Sequence, residues 1–345
     1  METLLAVDGN SLVHRSFHAL AGSNLRTADA RPIWAVKGFC SQVLGALDRV
    51  GARALVVGFD DHTSSERKTR WPHYKATRKP KPPELGEQLA LTIELLRAAG
   101  VHVVVPAGLE ADDVLASAAR TATAAGWQTV VLTSDRDSFA LIDDTTTVLR
   151  LINGGVNASP MLSPDRLVTL TGVRPDQYRE YAAMRGDTSD NLTGINGIGE
   201  KTAARLLAAF GTVQAAFDDV DAGGAGVAAA LGRACVAKLA DAGHRAAFAR
   251  NVEIMTMRTD LALGLALADG GPGCLPLDPD LVTGALDSLE LASIRMLALR
   301  LLADAPDPAP ALVPEQRDGW RPARPARPVA AAPAAGPQWV GDTLF

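Results

Sequence analysis

An α/β half built on a largely parallel sheet, followed by an α-helical half, is the fold class that this sequence predicts. Three observations carry it. Short β-branched or apolar runs alternate with helical patterns up to about residue 160, helical patterning takes over from about residue 163, and acidic residues stand just past the ends of four runs. Strands alternating with helices imply βαβ units, and open sheets of that kind bind ligands at the carboxyl ends of their strands.

The elements follow in order. TLLAV (3–7) is the first run, with Asp8 directly after it; a helical pattern over 34–49 leads to ALVVGF (54–59), which Asp60 and Asp61 follow. A second helical pattern over 84–98 precedes VHVVV (101–105), and Glu110, Asp112 and Asp113 lie a few residues on, opening a helix over 111–125. QTVVLT (128–133) is followed by Asp135, Asp137 and a short turn at 136–142, and TTVLRLI (146–152) closes the set. Pro164 and Pro175 stand where proline opens helices. DAGGAGVAAA (221–230) reads as a flexible loop leading into a helix. Residues 304–345 hold nine of the chain's 21 prolines, too little apolar surface to offset chain entropy, so a disordered Pro/Ala/Arg-rich tail is expected there. The expected organisation is a catalytic domain over 1–160, a helical domain over 161–303 and the tail over 304–345.

With 47% hydrophobic side chains the chain can bury one large core or two smaller ones. METLLAVDGN lacks the basic start and long apolar stretch of an export signal, and the longer apolar runs are too short to span a bilayer. Cys40, Cys235 and Cys274 are odd in number and widely spaced, which suits buried or free thiols in a reducing compartment. A cytoplasmic protein without membrane contact is expected. A net charge of −5 argues at first against a nucleic-acid partner, but residues 62–81 carry seven Lys or Arg against one Glu, a local +6, interleaved with Trp71, His73 and Tyr74. A basic run with aromatics suits a single-strand backbone and its bases.

One Asp at a strand end is usually a helix cap, and acids in a first turn complement the helix dipole. Independent capping at four ends is a poor explanation, because it concentrates unpaired negative charge in one crevice. Hard oxygen ligands gathered in that way suit Mg²⁺ or Mn²⁺. Two such ions clamp the attacking and leaving oxygens of a phosphoryl substitution.

Taken together, VDGNSLVHRSFHAL (7–20), VVGFD (56–60), LEADDVLA (109–116), LTSDRDSFAL (132–141) and RGDTSDNLTGINGIGEKTA (185–203) resemble, in order and spacing, the blocks of the bacterial 5′-nuclease family. That family includes the 5′→3′ exonuclease domain of DNA polymerase I and the flap endonucleases, and the resemblance covers roughly residues 1 to 300. It implies a PIN-like parallel sheet flanked by helices, then an α-helical domain with a helix-hairpin-helix-type DNA-binding element at about 187–210. It implies two adjacent metal clusters: Asp8, Asp60, Glu110 and Asp112 nearer one ion, Asp113 bridging or behind them, and Asp135, Asp137, Asp187 and Asp190 serving the other.

The resemblance also implies a helical arch at about 62–83 that passes a 5′ single strand. Lys75 and Arg78 match its YKxxR element and would act on the scissile phosphate, with Tyr74 stacking on a base and Arg67, Lys68 and Arg70 contacting the strand. Glu66-Arg67 stands where the family often has Phe-Arg, and Trp71-Pro72 is unusual there. In GINGIGEKTAARLL (194–207) a glycine turn precedes a helix, and exposed N–H groups at such a start bind phosphate. Gly197, Gly199, Lys201 and Thr202 would grip the duplex backbone without reading sequence, and K⁺ is expected at the turn; Thr193 replaces a common proline. His14, Arg15 and His18 are read as core packing or support.

The implied activity is metal-dependent hydrolysis of DNA at 5′ ends, nicks or flaps, including RNA-containing 5′ ends, in primer removal and repair by a stand-alone, monomeric, nucleoid-associated enzyme. Two rivals are a non-catalytic DNA binder, which nine carboxylates disfavour, and a PIN-like RNA nuclease, which normally lacks the arch and glycine turn. The terminal GDTLF resembles the end of a sliding-clamp-binding pentapeptide, with Leu344 and Phe345 as apolar anchors and Gly341 where glutamine is usual.

Overall fold

The computed structural model describes residues 1–304; the expected tail beyond Asp304 and the clamp-binding terminus at Leu344 and Phe345 lie outside the described residues. Six strands form the main sheet: β1 (Thr3–Asp8), β2 (Ala54–Gly58), β3 (His102–Val104), β4 (Gln128–Thr133), β5 (Thr146–Arg150) and β6 (Met161–Leu162). Their order is β3-β2-β1-β4-β5-β6, parallel throughout except that β6 runs antiparallel to β5. The five expected runs each hold a strand; β6 is only two residues long, too short to show a pattern. β1 lies between the strand formed next and one formed much later, so its carboxyl end opens on the switch-point crevice where such sheets bind ligands.

The side chains of β1 explain the layering. Leu5 and Val7 enter one apolar core and Leu4 and Ala6 the other, as a parallel sheet covered on both faces requires. The first core is completed by α1 (Gly9–Leu20), α2 (Trp34–Val50) and, after the short α3 (Glu66–Arg70), by α4 (Pro83–Ala98); α5 (Ala111–Ala124) covers the opposite face. Sequence periodicity leaves α1 unannounced. It starts at once after β1 because Asp8 caps it, its carboxylate accepting from the Ser11 N–H at 2.9 Å.

The second half is helical: α6 (Pro164–Thr171), α7 (Tyr178–Arg185), a two-residue hairpin of β7 (Gly186–Asp187) and β8 (Leu192–Thr193), then α8 (Glu200–Phe210), α9 (Val213–Asp221), α10 (Ala225–Leu231), α11 (Arg233–Ala240) and α12 (Ala242–Ile254). The segment at 221–230, expected as a flexible loop leading into a helix, is a short turn at 222–224 followed by α10. Asp219 accepts from the N–H groups of Gly226 at 3.0 Å and Val227 at 2.8 Å, so a capped helix starts where the glycines suggested freedom.

After α12 the chain returns to the first half. The N–H of Leu275 donates to the Arg53 carbonyl at 2.8 Å, and α13 (Pro279–Asp287) and α14 (Ala292–Ala298) place Val282, Leu286, Ile294 and Ala298 in one core with Phe39, Leu44 and Leu95. Residues 275–302, expected within the helical domain, thus cover the apolar outer sides of α2 and α4, which would otherwise face water. No helix among the described residues is long and apolar enough to cross a membrane.

Candidate active site

The sheet delivers its acids where the strand ends predict. Asp8 is 5% exposed and is held by Ser11 N–H and by the Thr133 hydroxyl at 2.7 Å. Burial, with Asp60 and Asp135 adding repulsion, pushes its carboxyl up to about 7. Asp60 is fixed by the Ala111 N–H at 2.9 Å, which lays the end of β2 against the start of α5. Asp112 is raised well above the ordinary carboxylate range by burial and then by Asp135, Asp8 and Asp137. Burial and the charges of Asp135, Asp190 and Asp187 push Asp137 up to about 8. Eight acids from the four strand ends and the hairpin (Asp8, Asp60, Glu110, Asp112, Asp135, Asp137, Asp187 and Asp190) therefore share one electrostatic neighbourhood. Among the described residues no three His, Cys, Asp or Glu groups already stand at metal-ligand spacing.

The ninth acid has another role. Asp113 is fully buried and accepts from the two terminal guanidinium nitrogens of Arg67 at 2.7 Å, from the Arg258 N–H at 2.8 Å and from the Glu110 N–H at 3.1 Å. A carboxylate offers about four acceptor positions, and none is left for an ion. Arg67 in turn donates to the carbonyls of Ile254 at 3.0 Å and Thr256 at 3.2 Å. The pair ties α3 to α5 and to the segment after α12, so Arg67, expected on the DNA strand, is committed to the protein. The signal missed was Asp113 at the third position of α5, where its side chain also closes a capping box with Glu110.

Tyr74 departs from expectation in the same way. It is 6% exposed, packs in the second core and donates its hydroxyl to Glu110 at 3.1 Å. A base cannot stack on a ring so enclosed. Lys75 lies beside it, its Nζ 3.0 Å from Glu110 and its N–H bonded to the Asp190 carbonyl at 2.9 Å. Burial works against the ammonium, and the charges of Glu110 and Asp190 outweigh it, holding Lys75 above its ordinary range. Arg78 pairs with Asp190 while staying half-exposed. Both YKxxR cations thus reach the acidic cleft. Lys68 is exposed, and Arg70 pairs with Glu253 and lies over the Trp71 ring. Asp61, next to the site, braces the loop that enters this segment, accepting from Thr63, Ser64 and the Gly108 N–H.

Asp187 and Asp190 arrive on the β7-β8 hairpin. Its strands pair Gly186 with Thr193 and Asp187 with Leu192, and a Cβ on Gly194, just past β8, would stand 2.2 Å from the Met184 carbonyl oxygen. Asn251, fully buried on α12, donates to the carbonyls of Ala183 at 3.0 Å and Thr193 at 2.9 Å and locks the hairpin to the helices. Nothing in the sequence marks that asparagine, because its partners are backbone atoms some sixty residues away. Beyond the hairpin Ile195 and Ile198 are buried, Gly197 has φ +73° and α8 starts at Gly199 without a side-chain cap. In the first turn of α8, Lys201 is exposed and Thr202 half-buried. The Gly197 carbonyl accepts from Lys238 Nζ at 2.8 Å, so at that oxygen K⁺ would have to share its place with a side-chain ammonium.

Comparisons with known proteins bear on the whole arrangement. Residues 3–169 match the family model for the 5′-3′ exonuclease N-terminal resolvase-like domain, and residues 173–272 match that for the 5′-3′ exonuclease C-terminal SAM fold. DNA polymerase I of Mycobacterium tuberculosis is 37% identical over 309 residues, 89% of this chain but 32% of that protein. Thermostable DNA polymerase I of Thermus aquaticus is 41% identical over 218 residues, 63% of this chain and 25% of that protein. The chain therefore spans about a third or less of the length of these relatives. The bacteriophage T5 flap endonuclease, solved as a pseudo-enzyme-product complex with DNA and metal ions, shares the fold, with a TM-score of 0.59 at 19% identity over 86% of this chain and 95% of that one. With both domain models matched in order along one chain, over residues 3–169 and 173–272, the protein belongs to the 5′-3′ exonuclease family, whose members are nucleases.

Proposed function

We propose that the protein hydrolyses DNA phosphodiesters at 5′ ends and 5′ flaps, acting in primer removal and repair, with two divalent ions held among Asp8, Asp60, Glu110, Asp112, Asp135, Asp137, Asp187 and Asp190. The observation that carries this reading is the charge imbalance of the rim. Asp8 and Asp137 are pushed up to about 7 and about 8 by burial and by neighbouring acids, an arrangement that costs stability unless cations neutralise it. The donors are all carboxylate oxygens, which fit Mg²⁺ or Mn²⁺. Such ions would supply Lewis-acid activation of water and neutralise the leaving oxygen.

The protein's own groups do the rest. Ser11, Thr133 and the Ala111 N–H orient Asp8 and Asp60. Lys75 and Arg78 place two positive charges at the mouth of the cleft, where a non-bridging phosphate oxygen gains negative charge, an effect worth about 3 kcal/mol for one well-placed donor. Lys68 and Arg70 line the entry for the strand, and the turn at 194–200 with Lys201 and Thr202 holds the duplex by its phosphates, with K⁺ at that turn beside Lys238. The T5 flap endonuclease, solved with DNA and metal ions, supports this reading. The proposed organisation keeps residues 1–160 as the catalytic part and 161–303 as the mainly helical part, with 275–303 folded back onto the first. The proposal extends to a monomer tethered to a sliding clamp through Leu344 and Phe345, an idea that unchanged clamp affinity after deletion of residues 341–345 would end.

Asp135→Ala combined with Asp187→Ala, assayed on a labelled 5′-flap duplex with Mg²⁺ and then Mn²⁺, tests the central reading. Loss of cleavage with DNA binding retained is expected. Retained cleavage would overturn the two-ion assignment, and a wild-type protein that binds but never cuts would overturn the enzyme.

A further inference from the structure

Four arginines, Arg15, Arg136, Arg150 and Arg185, meet at the edge of the acidic cleft, apart from the basic segment at 62–81. Arg150 ends β5 in register with Thr133 of β4, and Arg136 follows three residues after that threonine. Arg15, on α1, donates to the Asn153 side-chain oxygen at 3.0 Å, three residues past Arg150. Arg185, ending α7, reaches Glu200 at 3.1 Å and shares it with Arg136 at 3.6 Å. The Arg150 guanidinium lies 5.6 Å from the Phe139 ring centre. Glu200, Asp135 and Asp137 lie near them, so four positive charges stand against three negative ones at this edge.

How these arginines are bonded separates them from structural ones. Arg67 spends its guanidinium on a carboxylate and two carbonyls. By contrast, the Nε atoms of Arg136 and Arg150 are buried and have no hydrogen-bond partner. An unpartnered buried donor is costly, and a guanidinium fork matches a phosphate's oxygens in charge and geometry. A polyanion approaching a rim of carboxylates also needs positive charge on its path.

We propose that Arg136 and Arg150, flanked by Arg15, form a phosphate-binding site for the DNA backbone at the β4-β5 edge of the cleft. This rests on the nuclease reading and adds to it a contact separate from the basic segment at 62–81 and from the glycine turn. The site acts on binding and register of the strand rather than on the reacting atoms.

The test is binding of a fluorescent 5′-flap duplex by anisotropy, in Ca²⁺, across a salt series, for wild type, Arg136→Gln, Arg150→Gln and the double variant. Each lost phosphate contact lowers the salt slope by about one, so the double variant should lose about two and bind roughly tenfold more weakly. Arg150→Lys, which keeps the charge, should restore most of the slope, a rescue that a purely structural arginine would not predict. Arg136, 41% exposed on its side chain, keeps the test open if Arg150→Gln fails to fold. Unchanged slope and affinity in variants that melt like wild type would overturn the site. A wild type that neither binds nor cleaves the flap would instead overturn the nuclease reading.

Discussion

Replacing Asp113 by Asn should cost about 3–5 kcal/mol, because it strands the Arg67 guanidinium, 14% exposed, without its counter-charge. Urea unfolding measures this, and a loss under 1 kcal/mol would show that the pair does not anchor α3. Asp137→Asn should act in the opposite sense. It removes a charge that burial and three neighbouring acids already oppose, so the ion-free protein should become more stable at pH 8 while flap cleavage is lost, the trade expected of a strained functional group. Tyr74→Phe separates structure from stacking: loss of the hydroxyl bond to Glu110 should cost about 1 kcal/mol and leave DNA affinity within about twofold. A tenfold weaker complex would restore the base-stacking role.

At the scale of elements, the β7-β8 hairpin is the joint between the two halves' chemistry, since it alone brings Asp187 and Asp190 to acids that the sheet has already placed. Gly194→Ala puts a methyl 2.2 Å from a backbone oxygen, and the hairpin must open to admit it. Cleavage should fall at least a hundredfold, with thermal unfolding several degrees lower. The sheet acids are untouched by this change, so wild-type cleavage would mean that Asp187 and Asp190 are dispensable. The segment at 62–81 follows similar logic. Its charge is legible in sequence, yet Arg67 and Tyr74 are buried while Lys75 and Arg78 reach the cleft, because α3 is short and packs against the segment after α12.

For the whole molecule, the pH profile sums these groups. Asp8 and Asp137 are raised from 3.8 to about 7 and about 8 in the folded protein, so between those values the folded state holds more protons than the unfolded one, and stability falls across that window as pH rises and levels off above it. His14 is lowered to about 4 by burial and nearby cations; its neutral form adds stability that is complete above the unfolded value of 6.5 and lost below it. The two carboxyls outweigh the one imidazole, so with a chelator present the melting temperature should fall from about pH 5 to about pH 8 and level off above that, and Mg²⁺ or Mn²⁺ should abolish the decline. Calorimetry checks this, and a flat profile without divalent ions would remove the case for a charge-frustrated rim.

The sequence by itself determined the alternation of strands and helices, the acids at four strand ends and the basic run, because apolar periodicity and charge are local properties of the chain. It also determined that glycines close the turn at 194–199. Tertiary structure decided which of those residues remain available. Asp113 has its acceptor positions filled by the Arg67 guanidinium and the backbone N–H groups of Glu110 and Arg258, Asn251 holds the hairpin through carbonyls far away in sequence, and residues 275–302 return to cover α2 and α4. Hydrogen-bond saturation and apolar coverage depend on what arrives from elsewhere in the chain, so no local pattern records them.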